Sequence, residues 1–251
     1  MTLRAQQNHF ANVANQYAAF RPTYPSALIH DIVSFAGGNT ITALDVAAGN
    51  GQATIPLAAE CQHVYASDLA VTQIAAMPVV PNVSAYVSRA EQTYLPDNSV
   101  DLVCVAQAMH WFDVDAFHRE VRRIGKPGGV IAVWTYALLR ATPEITAIID
   151  DLYAETAAYW PADRVHVDNH YETLSFPYER IPYTPPAMTA AFTQARLRGY
   201  LSTWSGVQRS IKAGQSDPVA ARADAFAAAW GQAADDPVTF TFDMTVLLGR
   251  L

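Results

Sequence analysis

Lysine is nearly missing from this chain: Lys126 and Lys212 are the only two. No lysine-rich face is therefore available to neutralise phosphates. Sixteen Lys plus Arg against 23 Asp plus Glu leave a net charge of −7, a balance that disfavours a nucleic-acid partner. Cysteine is equally scarce. Cys61 and Cys104 form no CxxC, and His63 near Cys61 does not complete a four-ligand zinc set. No metal is expected, and two buried thiols suit a reducing compartment. The first seven residues, MTLRAQQ, contain no apolar signal core, and no run approaches membrane-spanning length. The expectation is a cytoplasmic protein with no membrane partner. What the chain does have is apolar material: 251 residues at 51% hydrophobic suffice for one elaborated α/β domain or a core with a cap.

Taken in order, residues 8–20 place Phe10, Val13, Tyr17 and Phe20 at helical spacing. Two prolines in Arg21-Pro22-Thr23-Tyr24-Pro25 then force an extended connection. Ser26 is positioned to cap a second helix that stops at Gly37-Gly38. Apolar strands then alternate with amphipathic helices. Strands are expected at 41–47, 64–67 ended by Asp68, 83–87, 100–106 and 130–134, the last after a KPGG turn at 126–129. Asp113 should cap the helix carrying Val114, Phe117, Val121 and Ile124. This pattern predicts a mostly parallel sheet with helices on both faces. Further on, Leu174, Phe176 and Tyr178 alternate like a strand, which Pro177 demotes to an edge. Asp217-Pro218 opens an Ala-rich helix, and strict alternation from Val238 to Val246 is the strongest strand signal in the chain.

The chemistry gathers after the first strand, in Asp45-Val46-Ala47-Ala48-Gly49-Asn50-Gly51. Gly49 and Gly51 let the backbone approach a ligand that a Cβ would hold off. Asp68 ends the next strand about 20 residues beyond Gly49, where a carboxylate can accept both hydroxyls of a ribose. Its other role would be to cap the helix starting near Leu69. Glu91, or the backbone near Ala90, would meet an adenine amino group after the third strand; a solvated charge is the other reading of Glu91. Three ligands remain possible on the glycines alone: a nicotinamide, a flavin or S-adenosylmethionine (SAM). A dinucleotide fingerprint wants a third small residue where this chain has Thr54. A short-chain dehydrogenase wants a Tyr four residues before its Lys, and Arg122 and Gln208 stand there instead.

With LDVAAGNG, Asp68, AQAMHWFD, KPGG and the Val133-Trp134-Thr135-Tyr136 run together, the chain resembles the class I SAM-dependent methyltransferases of the type 11 group. Among these it resembles the group containing the trans-aconitate methyltransferases and the fungal cantharidin-detoxifying enzyme, and the likeness spans nearly the whole chain. One departure is Ala47-Ala48, where many relatives have Gly-Cys or Gly-Ala; it should tighten the turn without removing the site. The resemblance implies a Rossmann-like seven-stranded sheet whose last strand is antiparallel and inserted beside strand five. The whole chain, 1–251, would be one methyltransferase domain. Its sheet core would cover about 40–136, 174–183 and 237–250, and a helical lid would come from 1–36, 137–173 and 184–236. SAM would be held by Tyr17, Asp45, Ala47, Gly49, Asn50, Gly51, Asp68, Leu69, Ala90, Glu91, Gln107 and Ala108, and would leave as S-adenosylhomocysteine. The acceptor would meet Tyr24, His110, Trp111, Trp134 and Trp204.

The cofactor would carry the activated methyl group, so the protein has to orient the acceptor and exclude water. A carboxylate acceptor needs no general base. A hydroxyl acceptor needs one, and His110 occupies the position for it; otherwise His110 and Trp111 are a positioning pair. The lid segments carry Arg164, Arg196, Arg198 and Arg209, any of which could fork onto a carboxylate. The expectation is O-methylation of a small carboxylate-bearing molecule by a monomer or loose homodimer. An RNA or protein methyltransferase, and a SAM-binding protein without catalysis, stay open at this point.

Overall fold

The computed structural model describes residues 20–251. The first strands, β1 (Thr42–Val46), β2 (His63–Asp68), β3 (Val83–Val87), β4 (Val100–Ala106) and β5 (Gly125–Arg140), pair in parallel. With β6 (Glu179–Arg180) and β8 (Val238–Arg250) they run in the order β3-β2-β1-β4-β5-β8-β6, and β7 (Met188–Phe192) pairs with β8. The chain leaves β1 towards β2 on one side and enters β4 on the other. The crevice at that reversal, past the carboxyl ends of β1 and β4, is where α/β sheets of this topology hold ligands.

Both faces of the central strands are apolar because both are covered. Ala43, Leu102, Cys104, Ala132 and Trp134 face one core, built with helix α1 (Ser26–Ala36), α2 (Thr54–Glu60) and α5 (Pro143–Glu155). Leu44, Val46, Val103, Val105, Ile131 and Val133 face a second core under α4 (Val114–Ile124). Leu57 on α2 and Phe117 and Val121 on α4 are fully buried. A fully buried side chain of that size contributes about 1.5–3 kcal/mol, so these helices are held chiefly by the sheet they cover. The remaining helices are α3 (Val71–Ala76), α6 (Arg164–Asp168), α7 (Gln194–Ser202), α8 (Ser205–Lys212) and α9 (Ala223–Ala229).

The mostly parallel sheet with its antiparallel last strand is as expected, but the count is eight rather than seven. The extra strand is β7, whose residues 188–192 fall inside the segment expected to be lid. It pairs with the part of β8 that runs past β6, from Met188↔Phe242 to Phe192↔Val238. The strand expected at Leu174–Tyr178 does not form. Pro177 lacks an N–H, and the segment instead docks on α4: His118 Nε2–H donates to Ser175 O (2.9 Å), and Tyr178 donates to Nδ1 (2.8 Å). The edge strand begins only at Glu179. The KPGG segment lies within β5 instead of preceding it, with the pairing slipping between Val100 and Leu102. Ser26 does not cap α1; Pro25 holds that position, with no side-chain bond. Asp113 does cap α4, accepting from Ala116 N–H at 3.0 Å. The expected helix at 8–20, with Tyr17, lies almost wholly outside the described residues. Among the described residues no helix is long and apolar enough to cross a membrane.

Candidate active site

Two adjoining hollows open past the carboxyl ends of the strands. The first is a groove of about 340 Å³ lined by Ala47, Asp68, Leu69, Ser88, Ala90, Glu91, Trp111 and Phe112, among others. Ala47, at one side of it, opens the turn from β1 into α2. Ala47 (φ 56°), Gly49 (φ 57°) and Gly51 (φ 95°) all take left-handed backbone there. A Cβ on Gly51 would stand 2.9 Å from Met77 Cγ, whereas one on Gly49 would meet only Gln73 Oε1, at 3.9 Å. Gly51 is thus required by packing. At Gly49 the demand is the backbone conformation and open space above it. Ala47 pays the cost that a glycine would avoid, about 1–2 kcal/mol for an L-residue in this region.

Asp68 fastens this turn to β2. Its Oδ2 accepts from Gly49 N–H (2.9 Å) and its Oδ1 from Ala70 N–H (2.8 Å). It lines the groove, half-exposed, and it is not a helix cap: α3 begins at Val71 behind Ala70, with no side-chain cap bond. Glu91 lines the groove too. Its carboxylate accepts from Asp113 N–H (3.0 Å) and pairs with Arg89 (3.3 Å). Leu69, at 71% exposure, and Trp111, at 55%, are large apolar surfaces turned outward at the rim.

Beneath the turn lies the most unusual group, Asp45. It is wholly buried; its Oδ2 accepts from Thr54 Oγ1–H (2.6 Å), and its Oδ1 has no partner. Burial, opposed by the Thr54 bond and reinforced by the charge of Asp68, pushes its carboxyl up to about 7. A buried carboxylate oxygen lacking a donor is costly. A cationic ligand above the turn would relieve it, and the ammonium and sulfonium of SAM are such charges. The residues present therefore fit the cofactor.

The second hollow, about 190 Å³, shares Trp111 with the first. Gln107, with φ 58°, stands at the end of β4 and is fixed: its Oε1 accepts from Thr135 Oγ1–H (2.7 Å) and its Nε2 donates to Tyr136 O (3.2 Å). His110 lines it, with Nδ1 2.8 Å from the Tyr171 hydroxyl. Burial and the nearby Arg164 charge lower His110 to about 4, so it is neutral at pH 7. Tyr171 reaches it because His170 (φ 53°) and Tyr171 (φ 60°) both take left-handed backbone, turning the ring into the core under α4. Trp160, Trp204, Tyr136, Tyr200, Arg21 and Arg164 complete the wall.

Of the residues expected around the acceptor, His110, Trp111 and Trp204 line this hollow, whereas Tyr24 and Trp134 do not. Trp134 is fully buried, since the alternation along β5 turns it into the core, and Tyr24 packs edge-on against it at 5.4 Å. They back the site rather than face it. Ala47, Asp68, Leu69, Ala90 and Glu91 line the groove, whereas Gly49, Asn50 and Gly51 lie in the turn after Ala47 and are not among its lining residues. Gln107 faces the second hollow instead, and Ala108 is buried. Arg21, Tyr136 and Tyr171 were not among the residues expected to bind either ligand. Tyr171 and Thr54 would have been found only by knowing which buried polar atoms need a partner. Among the described residues no cluster of three His, Cys, Asp or Glu side chains is placed to hold a metal ion.

A methyltransferase-domain family model matches residues 44–133, which run from β1 into β5 and include all the residues that line the first groove. A candidate methyltransferase of Dictyostelium discoideum is 33% identical over 212 residues, covering 83% of this chain and 81% of that one. An uncharacterised methyltransferase of Mycobacterium tuberculosis is 35% identical over 127 residues, about half of each chain (50% and 51%). The solved structure of a candidate type II methyltransferase from Anaeromyxobacter dehalogenans is 40% identical and superposes with a TM-score of 0.85, covering 92% of this chain and 98% of that one. With a glycine turn after β1, a carboxylate ending β2 and a buried acid within β1, the chain belongs to the class I SAM-dependent methyltransferases.

Proposed function

We propose that the chain methylates an oxygen of a small, carboxylate-bearing acceptor. The observation that carries this reading is the second hollow: Arg21 and Arg164 both line it, and Trp111 separates it from the cofactor groove. When bound, SAM supplies a methyl group already activated on sulfur; the acceptor oxygen's lone pair forms the O–CH3 bond as the S–CH3 electrons return to sulfur, giving S-adenosylhomocysteine and an ester. A carboxylate is ionised at pH 7 and has no proton to lose. Neutral His110, held by Tyr171, then acts as a positioning residue. The resemblance to trans-aconitate methyltransferases supports an acid acceptor, and the size of the hollow supports a small one.

The net charge of −7 argues against RNA as the acceptor, and we place the protein in the cytoplasm as a monomer or loose homodimer. Calorimetry with S-adenosylhomocysteine tests the cofactor: binding is expected in the native chain and loss of at least about tenfold in affinity in Asp68→Ala, from two charge-assisted bonds. Formation of methyl esters from a panel of small acids, followed by mass spectrometry, tests the chemistry. Salt-sensitive retention on RNA with methylation of that RNA would overturn the small-molecule reading. Cofactor binding without turnover on any acid, alcohol or amine would establish a non-catalytic binder.

A further inference from the structure

Arg164 differs from the other lid arginines in how it is held. It is the first residue of α6, and its Nε donates to Asp168 Oδ1 one turn later, at 2.9 Å. Its guanidinium lies over the Trp160 ring, 4.9 Å from the centroid, and 5.6 Å from that of Tyr153. Those contacts fix the plane and occupy Nε. The neighbouring Nη2 nitrogen is buried and has no hydrogen-bond partner, and the residue lines the second hollow. A guanidinium immobilised through Nε and unmet at Nη2 is preorganised for an anion. By contrast, Arg196 is spent on the outside, stacked over Phe192 at 4.8 Å and bonded to Ala191 O.

The rest of the hollow is aromatic. Trp160 and Trp204 meet at 5.7 Å between centroids, and the Trp111 ring lies 4.6 Å from that of His110. Trp160 is itself seated by Gly206: a Cβ there would come within 2.6 Å of the indole nitrogen. The volume of about 190 Å³ is close to the roughly 150 Å³ of a cavity that takes one benzene. Flat rings at these tilts offer faces and edges to another flat ring.

We infer that the acceptor is a compact aromatic carboxylic acid, its ring among Trp160, Trp204 and Trp111 and an anionic oxygen on the Arg164 guanidinium. This rests on the methyltransferase reading of the same site and narrows its substrate class. Arg164 is then the residue that selects for charge, and the tryptophans select for flatness.

The test uses the full chain saturated with S-adenosylhomocysteine, titrated with benzoate, cyclohexanecarboxylate and benzamide, with indole fluorescence and calorimetry as readouts. Benzoate shares its charge with the second probe and its ring with the third. The expected order is benzoate tightest, with each of the others weaker by about tenfold. In Arg164→Gln the advantage of benzoate over benzamide should vanish while the ring still quenches the indoles. Cyclohexanecarboxylate binding as well as benzoate would overturn the aromatic class. Benzamide binding as well as benzoate would overturn the role of Arg164. No binding of any of the three, with S-adenosylhomocysteine bound, would overturn the inference and leave the cofactor assignment standing. Failure of S-adenosylhomocysteine to bind would overturn both. The comparison among ligands is made on the native chain, so it holds even if the variant does not fold.

Discussion

Replacing Asp45 with Asn should stabilise the free protein at alkaline pH and weaken its hold on the cofactor. Burial lifts the Asp45 carboxyl from its ordinary 3.8 to about 7. Between those values the folded chain keeps a proton that the unfolded chain has lost. The contribution of this group to stability is therefore full below pH 4, falls as pH rises, and reaches its minimum above pH 7. The displacement corresponds to a penalty of about 4 kcal/mol above pH 7. Asn does not ionise, and its side-chain oxygen can still accept from Thr54; its amide hydrogens would lack a partner, at about 1–3 kcal/mol. The net gain at pH 8 is thus about 1–3 kcal/mol, or about 5 °C in Tm for a chain of this length. At pH 5 most of the penalty is already gone from the native chain, so the gain should disappear or reverse. Thermal unfolding of both proteins from pH 5 to pH 8, with and without S-adenosylhomocysteine, reads this directly. The variant should also show a smaller ligand-induced rise in Tm. A difference in Tm between the two proteins that does not change with pH would refute the account of Asp45 as a buried acid poised for a cation.

Three further predictions follow from neighbouring residues. Thr54→Val removes the hydroxyl bond to Asp45 Oδ2; the variant should lose about 1–3 kcal/mol at pH 8 and less at pH 5, measured by urea unfolding. His110 should stay neutral from pH 5 to pH 8 in an NMR titration, and Arg164→Met should raise its pKa from about 4, since the Arg164 charge helps to lower it. No change in that variant would separate the two residues electrostatically. Gly51→Ala should destabilise by about 1–2 kcal/mol, because the left-handed backbone and the close Met77 side chain both oppose a Cβ.

Much of the sheet was legible in sequence because its strands are buried on two faces and read as apolar runs between polar turns. β3 and β4 match their expected limits for that reason. β7 was not legible: Met188–Phe192 is short and weakly alternating, and only the partner edge offered by β8 makes it a strand. The same limit applied to Trp134. The motif suggested a site residue, but one step along a pleat decides between core and cavity. The glycine turn and the carboxylate that ends β2 were readable from Gly49, Gly51 and Asp68, because local turn geometry places them. The second hollow was not, since Arg164 is distinguished from Arg196 by Asp168 and Trp160, and Tyr171 arrives through two left-handed residues that no glycine announces.

The place of β8 bears on how the chain can assemble. β8 pairs with β5 from Thr241 to Arg250 and with β7 over Val238 to Phe242. Until it arrives, β5 presents an open edge that includes the fully buried run Val130 to Trp134. During synthesis that edge waits for roughly a hundred residues, long enough for premature strand pairing with another copy. The distant partner also gives the domain a high share of non-local contacts, which slows folding. Losing β8 would open the sheet at β5 and unfasten β7 with it, so the wall of the second hollow depends on a strand that lines no part of it.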